Sequence, residues 1–361
     1  MRLALKDLKH NVRHYLLVTI IIVLLMFMVL FLSGLVDGLG RAVSSGIEQL
    51  PADGFVLKED AECLITVSSV TEEELLSVES QVDTKVATLD IFRTFLEKKS
   101  SDEKIDITYF AVNPEDFLNP EAYLGKKLSA QDENSIVLDD DFEAEGIQVG
   151  DIVVDSASGL ELKVTGFTKD QMYGHIPIGF VSVETFRSIM QGINPNYQPK
   201  YHAFALKDMS DKVNIKGLET YTKAEIIDEL PGYKAEQMTI KMVDWMLVFI
   251  TAVIIGIFFF VINMQKEKEF GVLKAIGVSM GELATFIACE VGTVALIGAL
   301  IAAALVGMMA RALPGTMPFY LQTGNVILIL CAFILISLFG SLFSIVKVAK
   351  IDPAGIIGGD N

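Results

Sequence analysis

Four long apolar runs, set out as one, then a long acidic stretch, then three, constrain this chain more than any other feature of it. They are Leu16 to Val36, Trp245 to Ile262, Val291 to Ala310 and Val326 to Val346. Each holds the roughly 20 apolar residues that a helix needs to cross a hydrocarbon core, where every backbone polar group must be satisfied internally. The expected fold class is therefore an α-helical membrane protein with four transmembrane helices. One large soluble domain is inserted between helices 1 and 2.

Orientation follows from Lys and Arg in the short flanking segments. Arg2, Lys6, Lys9 and Arg13 precede the first run, Lys266, Lys268 and Lys274 follow the second, and Lys347 and Lys350 follow the fourth; Arg311 stands alone between the third and fourth. The expectation is a multi-pass protein of the cell membrane with both termini cytoplasmic and the large domain extracellular. Its parts read as a cytoplasmic amphipathic helix over 1–15, spans over 16–36, 245–262, 283–310 and 325–346, an extracellular domain with stalks over 37–244, a cytoplasmic segment over 263–282, an outer loop over 311–324 and a cytoplasmic tail over 347–361. The first run is too long for a secretory signal and reads as an uncleaved helix.

Between Asp37 and Asp244 stand 39 Asp and Glu against 19 Lys and Arg, a net of −20 in a chain of −17. Such a surface repels nucleic acid, which is excluded as a partner. Short β-rich runs, such as Ser135 to Leu138, Ile152 to Val154, Leu162 to Thr165 and Gly179 to Ser182, alternate with helical stretches near Thr71 to Val82 and Ser182 to Gln191. This is the pattern of an α+β domain. Of the three cysteines only Cys63 lies in it, so packing must hold the domain together without an internal disulfide.

Catalytic chemistry is not encoded by any recognisable motif. The one Gly-Lys pair, Gly125-Lys126, is followed by Lys127, so no phosphate-binding loop exists. No Gly-x-Ser-x-Gly, His-Glu-x-x-His or paired-Cys pattern occurs either. His10 and His14 share a helix face, but without a further ligand they read as surface residues, and His175 and His202 read as loop or core histidines. Glu290, near the cytoplasmic end of the third span, is an ionisable group in a membrane helix. A polar contact with a neighbouring helix or snorkelling explains it better than substrate handling. Gly292, Gly298, Ala302 and Ala303 offer small surfaces for close helix packing.

The cytoplasmic run Gln265 to Glu282 has a charged start, the apolar residues Phe270, Val272, Leu273 and Ile276, and glycines at 271 and 277. It reads as a short helix offering apolar side chains to a partner. Phe270 to Gly277 resembles the coupling segment of the MacB and FtsX superfamily of ABC transporter permeases, Lys350-Ile-Asp-Pro-Ala354 resembles the tail of the same proteins, and Gly146 to Asp151 resembles a turn of their outer domain. Phe31 to Arg41, Met172 to His175, Tyr233 to Gln237, Gly315 to Leu321 and Ile357 to Asp360 are most similar to the HrtB-type heme-efflux permeases of Gram-positive bacteria.

That resemblance implies a homodimer in membrane lipid, working with two copies of a separate ABC ATPase. The permease is no enzyme itself and carries no cofactor, and heme is its transported substrate. ATP-driven closure on the inside moves the stalks outside, a mechanotransmission mechanism. The resemblance further implies that Phe270, Leu273, Lys274 and Ile276 meet the ATPase. It places heme near Glu48 and Met242, with Met238 and Tyr173 as further contacts; Glu48 and Met242 are the candidate iron ligands, a carboxylate and a thioether. From the residues alone, Glu48 is a solvated stalk residue and the methionines are apolar packing. Two rivals stay open: export of another amphiphile such as a lipid, peptide or antibiotic, and a signal transmitter that carries nothing and controls an extracellular partner.

Overall fold

The computed structural model describes residues 12–99, 104–209, 215–313 and 317–349. Most of the amphipathic helix expected over 1–15, and the Lys350 to Ala354 motif, lie outside these residues. The chain divides into two compact units, one built on Met1–Gly38, Met238–Leu313 and Phe319–Asn361, the other on Leu39–Gln237 with Pro314–Pro318.

The first helix, α1 (Val12–Glu48), does not stop where its apolar run does. It continues about 18 Å beyond Val36, at 1.5 Å per residue. Pro51, which cannot continue a helix, follows within three residues of its end. In the second unit come β1 (Gly54–Lys58), α2 (Glu72–Glu79), β2 (Val86–Lys98), β3 (Lys104–Val112), β4 (Leu124–Gly125) and β5 (Ser135–Asp139). These are followed by α3 (Asp141–Ala144), β6 (Ile152–Asp155), β7 (Glu161–Thr168), β8 (Met172–Tyr173) and β9 (Ile176–Ser182). Then come α4 (Val183–Ile193), β10 (Ala203–Leu206), β11 (Leu218–Thr222) and α5 (Lys223–Asp228). The four β-rich runs read from the sequence are β5, β6, β7 and β9. The two helical stretches are α2 and α4.

Local chemistry sets several of these boundaries. Thr71 with Glu74 and Thr222 with Glu225 form capping boxes that satisfy the first backbone N–H groups of α2 and α5. In the Gly146 to Asp151 turn, Gly150 has φ +97°, a left-handed conformation that glycine adopts at little cost, and the Asp151 carboxylate accepts from the Gln148 N–H at 3.0 Å.

The strands form one mixed sheet that is half open and half closed. Its open half runs β11-β1-β10-β2, antiparallel throughout. Beyond β2 the pairings β2-β3-β9-β5-β7-β6 return to β2 and close a ring of six strands, with β3 and β9 parallel and β5 and β7 parallel. A closed ring leaves no unpaired edge. The 13-residue β2 serves both halves, pairing β10 through Val86 to Leu89, β3 through Asp90 to Glu97 and β6 through Leu96 to Lys98.

Leu96, Ile107, Tyr109, Leu138, Val164 and Phe167 belong to one buried cluster of the ring. Asp155 is fully buried beside it, and its carboxylate accepts from Thr94 (3.0 Å), Tyr109 (3.2 Å) and the Ser158 N–H and hydroxyl (2.7 Å each). A buried charge is tolerated when it is supplied with donors in this way. A second cluster, around Phe55, Leu57, Leu89, Phe110 and Phe180, lies against the open half and takes in Ile47 of α1.

In the first unit α1 is joined by α6 (Tyr233–Gln265), α7 (Glu267–Ala275), α8 (Met280–Ala310) and α9 (Thr323–Ala349). Four of these helices, α1, α6, α8 and α9, are long and apolar enough to cross a membrane. Two crossings depend on glycine. A Cβ on Gly298 would stand 2.4 Å from Ile22 Cγ2 of α1, and one on Gly340 of α9 would stand 3.0 Å from the Gly256 Cα of α6. Of the small residues singled out in the sequence, Gly298 and Ala302 are in close packing, whereas Gly292 meets only an ordinary contact from Leu338 at 3.7 Å. The short α7 is followed by Gly277 at φ +95° and by a Ser279–Glu282 capping box that starts α8. Two helices are thereby joined by four residues.

Candidate functional site

The residues expected to hold heme fall on different structural footings. Glu48 is the last residue of α1, and its side chain is exposed. Its backbone carbonyl accepts from Lys223 Nζ at 3.1 Å, while the Leu50 carbonyl accepts from the same ammonium at 2.7 Å. The helix C-terminus is thus closed by a cation, the charge that suits that end of a helix.

Tyr173, in β8, is partly buried and packs on the cluster of the open sheet half. Its ring meets Phe110 edge-on, with centroids 5.6 Å apart, and burial pushes its hydroxyl pKa up to about 12.

Met238 and Met242 stand one turn apart on α6, and each is about two-thirds exposed, at 68% and 66%. Trp245, Met246 and Phe249 continue the same exposed apolar stripe. Behind it, where Asp37 of α1, Asp244 of α6 and Asn325 of α9 come together, lies a cavity of about 120 Å³ lined by these residues and Trp245. Asn325 donates to both Asp37 carboxylate oxygens, at 2.9 and 3.1 Å. This space is well below the roughly 300–1,000 Å³ of pockets for drug-sized ligands.

The α7 helix has two faces. Phe270, 1% exposed, is buried in the core of the membrane unit with its ring edge-on to Phe286, centroids 6.3 Å apart. Leu273 packs half-buried on the same core, and Lys274 is half-buried. Val272 and Ile276 are exposed, at 50% and 72%. Phe270 is therefore not presented to a partner, because the 3.6-residue period turns it and Leu273 toward α8 while carrying Val272 and Ile276 outward. Glu290 is also buried, with Lys266 Nζ 3.0 Å from its carboxylate.

Residues 242–353 match the model of the FtsX-like permease C-terminal domain. Over 361 residues, 99% of each chain, the sequence is 30% identical to the hemin transport system permease protein HrtB named in Staphylococcus epidermidis. The corresponding protein of Staphylococcus haemolyticus is 28% identical over the same share.

The chain belongs to the HrtB family of ABC transporter permeases.

The periplasmic region of MacB from Actinobacillus actinomycetemcomitans aligns with 52% of this chain and 92% of its own, at 11% identity and a TM-score of 0.36. A TM-score that low does not decide the fold of the outer domain. Family membership makes this chain a membrane permease, with its α+β domain between the first and second spanning helices. Chemically, the exposed stripe offers three soft thioethers beside the rings of Trp245 and Phe249, while Glu48 offers an exposed carboxylate. Among the described residues no cluster of three or more His, Cys, Asp or Glu side chains is arranged to hold a metal ion.

Sequence reading passed over two functional candidates, Tyr15 and Lys266. Lys266 counted only as one of the positive charges that set orientation. Its place directly after an apolar helix, 24 residues before a lone intramembrane carboxylate, was the available signal.

Proposed function

We propose that this permease exports heme from the membrane as the transport subunit of an ABC system, driven by a separate ATPase. The observation that carries the reading is 30% identity, over 99% of both chains, to a chain named for hemin transport. The exposed thioethers of Met238 and Met242 on α6 and the exposed carboxylate of Glu48 at the end of α1 supply ligand types that suit heme iron. Heme is the cargo, and the chain needs no cofactor of its own. Two copies of the permease form a homodimer in membrane lipid and bind two ATPase copies through the outward face of α7. Both termini are cytoplasmic and the α+β domain is extracellular. Nucleotide-driven closure inside is transmitted along α1 and α6 to the domain outside.

The acidic outer domain disfavours collection of an anionic porphyrin from water and favours its release there. Entry from the bilayer onto the exposed α6 stripe fits that direction.

The test is a titration of the purified permease with heme, read by visible absorption. The expected result is a saturable shift of the heme bands that is reduced in Met242→Ala and in Glu48→Ala and lost in the double variant. An unchanged spectrum with normal binding in the double variant removes these two residues from the site. Absence of saturable binding by the wild type, with efflux of a lipid or peptide instead, replaces the substrate.

A further inference from the structure

Three buried side chains outside the transport reading meet inside the membrane unit. Glu290, 1% exposed, lies ten residues into α8, roughly 15 Å from its start at 1.5 Å per residue. Lys266, 8% exposed, sits at the junction where α6 ends and α7 begins. Tyr15, 5% exposed, belongs to the first turn of α1. Lys266 Nζ donates to Glu290 Oε1 at 3.0 Å and to the Tyr15 hydroxyl, and that hydroxyl donates to the same Glu290 oxygen. The ammonium also stands 4.9 Å from the Tyr15 ring centroid and 6.0 Å from that of Phe286.

The pattern has a register. Lys266 and Phe270 are one turn apart along the chain, as are Phe286 and Glu290, so α7 meets α8 at an apolar point and a charged point one turn apart. A buried ion pair adds little net stability, because desolvation offsets the attraction, but separating its members strands a charge in apolar surroundings. An apolar seam alone allows one helix to slide along another; this arrangement does not.

We propose that Lys266, Glu290 and Tyr15 are positioning residues of the transport cycle, forming a charged joint that makes α7 move as one body with the start of α1 and with α8. A push received by α7 then reaches two spanning helices besides α6, to which it is joined by the chain. This rests on the reading of α7 as the segment that meets the ATPase.

The test uses the permease with its copurifying ATPase in lipid nanodiscs, comparing nucleotide-free and vanadate-trapped complexes by hydrogen exchange over residues 266–290. In the wild type, trapping should change exchange across this whole segment. In the Lys266→Met, Glu290→Leu double variant, which removes both members of the ion pair, the ATPase should still copurify and hydrolyse ATP within about twofold of wild type. The trapped-state change should then stay in α7 and no longer reach 280–290, while efflux falls at least tenfold. A double variant that keeps the full exchange change overturns the joint. If the double variant does not assemble, Tyr15→Phe decides, since it removes only the hydroxyl; full transmission and efflux in that variant also overturn the proposal. The wild type separates the readings: exchange coupling without heme efflux leaves the joint standing and refutes the substrate. ATPase retained by Ile276→Asp refutes the docking face instead.

Discussion

Asp139 is the side chain whose ionisation most opposes the fold of the outer domain. Burial, with the Asp140 charge beside it, pushes its pKa up to about 8, although its carboxylate accepts from the Gln171 N–H at 2.6 Å and the Asp141 N–H at 3.1 Å. A raised carboxyl pKa means that the folded state holds the proton more tightly than the unfolded one. Stability therefore falls as pH rises from the ordinary Asp value of about 4 to about 8, and is flat in this group above that. Asp139→Asn should flatten the decline of the thermal midpoint between pH 5 and 8, measured on the intact permease in detergent. It should also lower the midpoint at pH 5 by about 1 kcal/mol of stability for the lost acceptor.

Cys63 makes a second residue-scale prediction. It is 6% exposed, and burial together with Glu225, Glu229 and Glu219 pushes its thiol up to about 11. An impermeant maleimide should leave it unlabelled in the folded protein, since the thiolate is the reacting form. Neither environment was legible in the sequence. Asp139 borders an apolar run on one side and acids on the other, and Cys63 likewise stands between Glu62 and Leu64, so burial does not follow from neighbours along the chain; only the pairing of β5 with β7 and β9 buries the former.

At the scale of elements, α7 separates two effects that its sequence blends. Ile276→Asp places a charge on the exposed face, so the permease should fold and insert normally while losing its ATPase in copurification. Phe270→Ala empties a core site, at a cost of about 3–5 kcal/mol by analogy with buried aromatic truncations, and should lower the yield of folded permease whether or not the ATPase is present. The existence of this helix was readable from its charged start and its glycines. Which of its apolar residues face inward was not, because Phe270, Val272, Leu273 and Ile276 all satisfy an apolar pattern until α8 supplies a partner for two of them.

The glycine crossings carry the same lesson. Gly340→Leu should force α9 from α6 at a point where even a single Cβ would stand 3.0 Å from the Gly256 Cα, and should reduce the thermal midpoint of the membrane unit. Composition suggested small residues for close packing in the third span. It gave no reason to single out Gly256 with Gly340, which lie 84 positions apart.

For the whole molecule, the layout was the most legible level. Four apolar runs with an α+β domain after the first were plain in the sequence, because a spanning helix leaves a signal of about 20 residues that no context overrides. The ring of strands was not, since it closes where β6 pairs with β2, more than 50 positions earlier in the chain, a separation that no local pattern marks. Orientation is checked with cysteines at exposed sites in a chain lacking its own three. On intact cells Ala157→Cys should react with an impermeant reagent, whereas Gly281→Cys should react only after permeabilisation. The opposite result reverses the topology and with it the direction assigned to transport.

The shared strand β2 has a consequence for how the chain is made. All six strands of the ring lie between Val86 and Ser182, so they are able to meet soon after they are synthesised. By contrast β1 has only β10 and β11 as partners, and about 150 residues must be translated after Leu57 before the first of these is available. At about 5–20 residues per second this is a wait of roughly 7–30 s. During it, Phe55, Val56 and Leu57 form a short uncovered edge next to the nascent helix α1, followed by Lys58, Glu59 and Asp60, charges of the kind that discourage stray strand pairing. Lys58 is paired with Glu74 in the folded domain, so the two acids carry the test: neutralising Glu59 and Asp60 is a change that ribosome-bound chains register as aggregation, while the finished permease unfolds at an unaltered temperature.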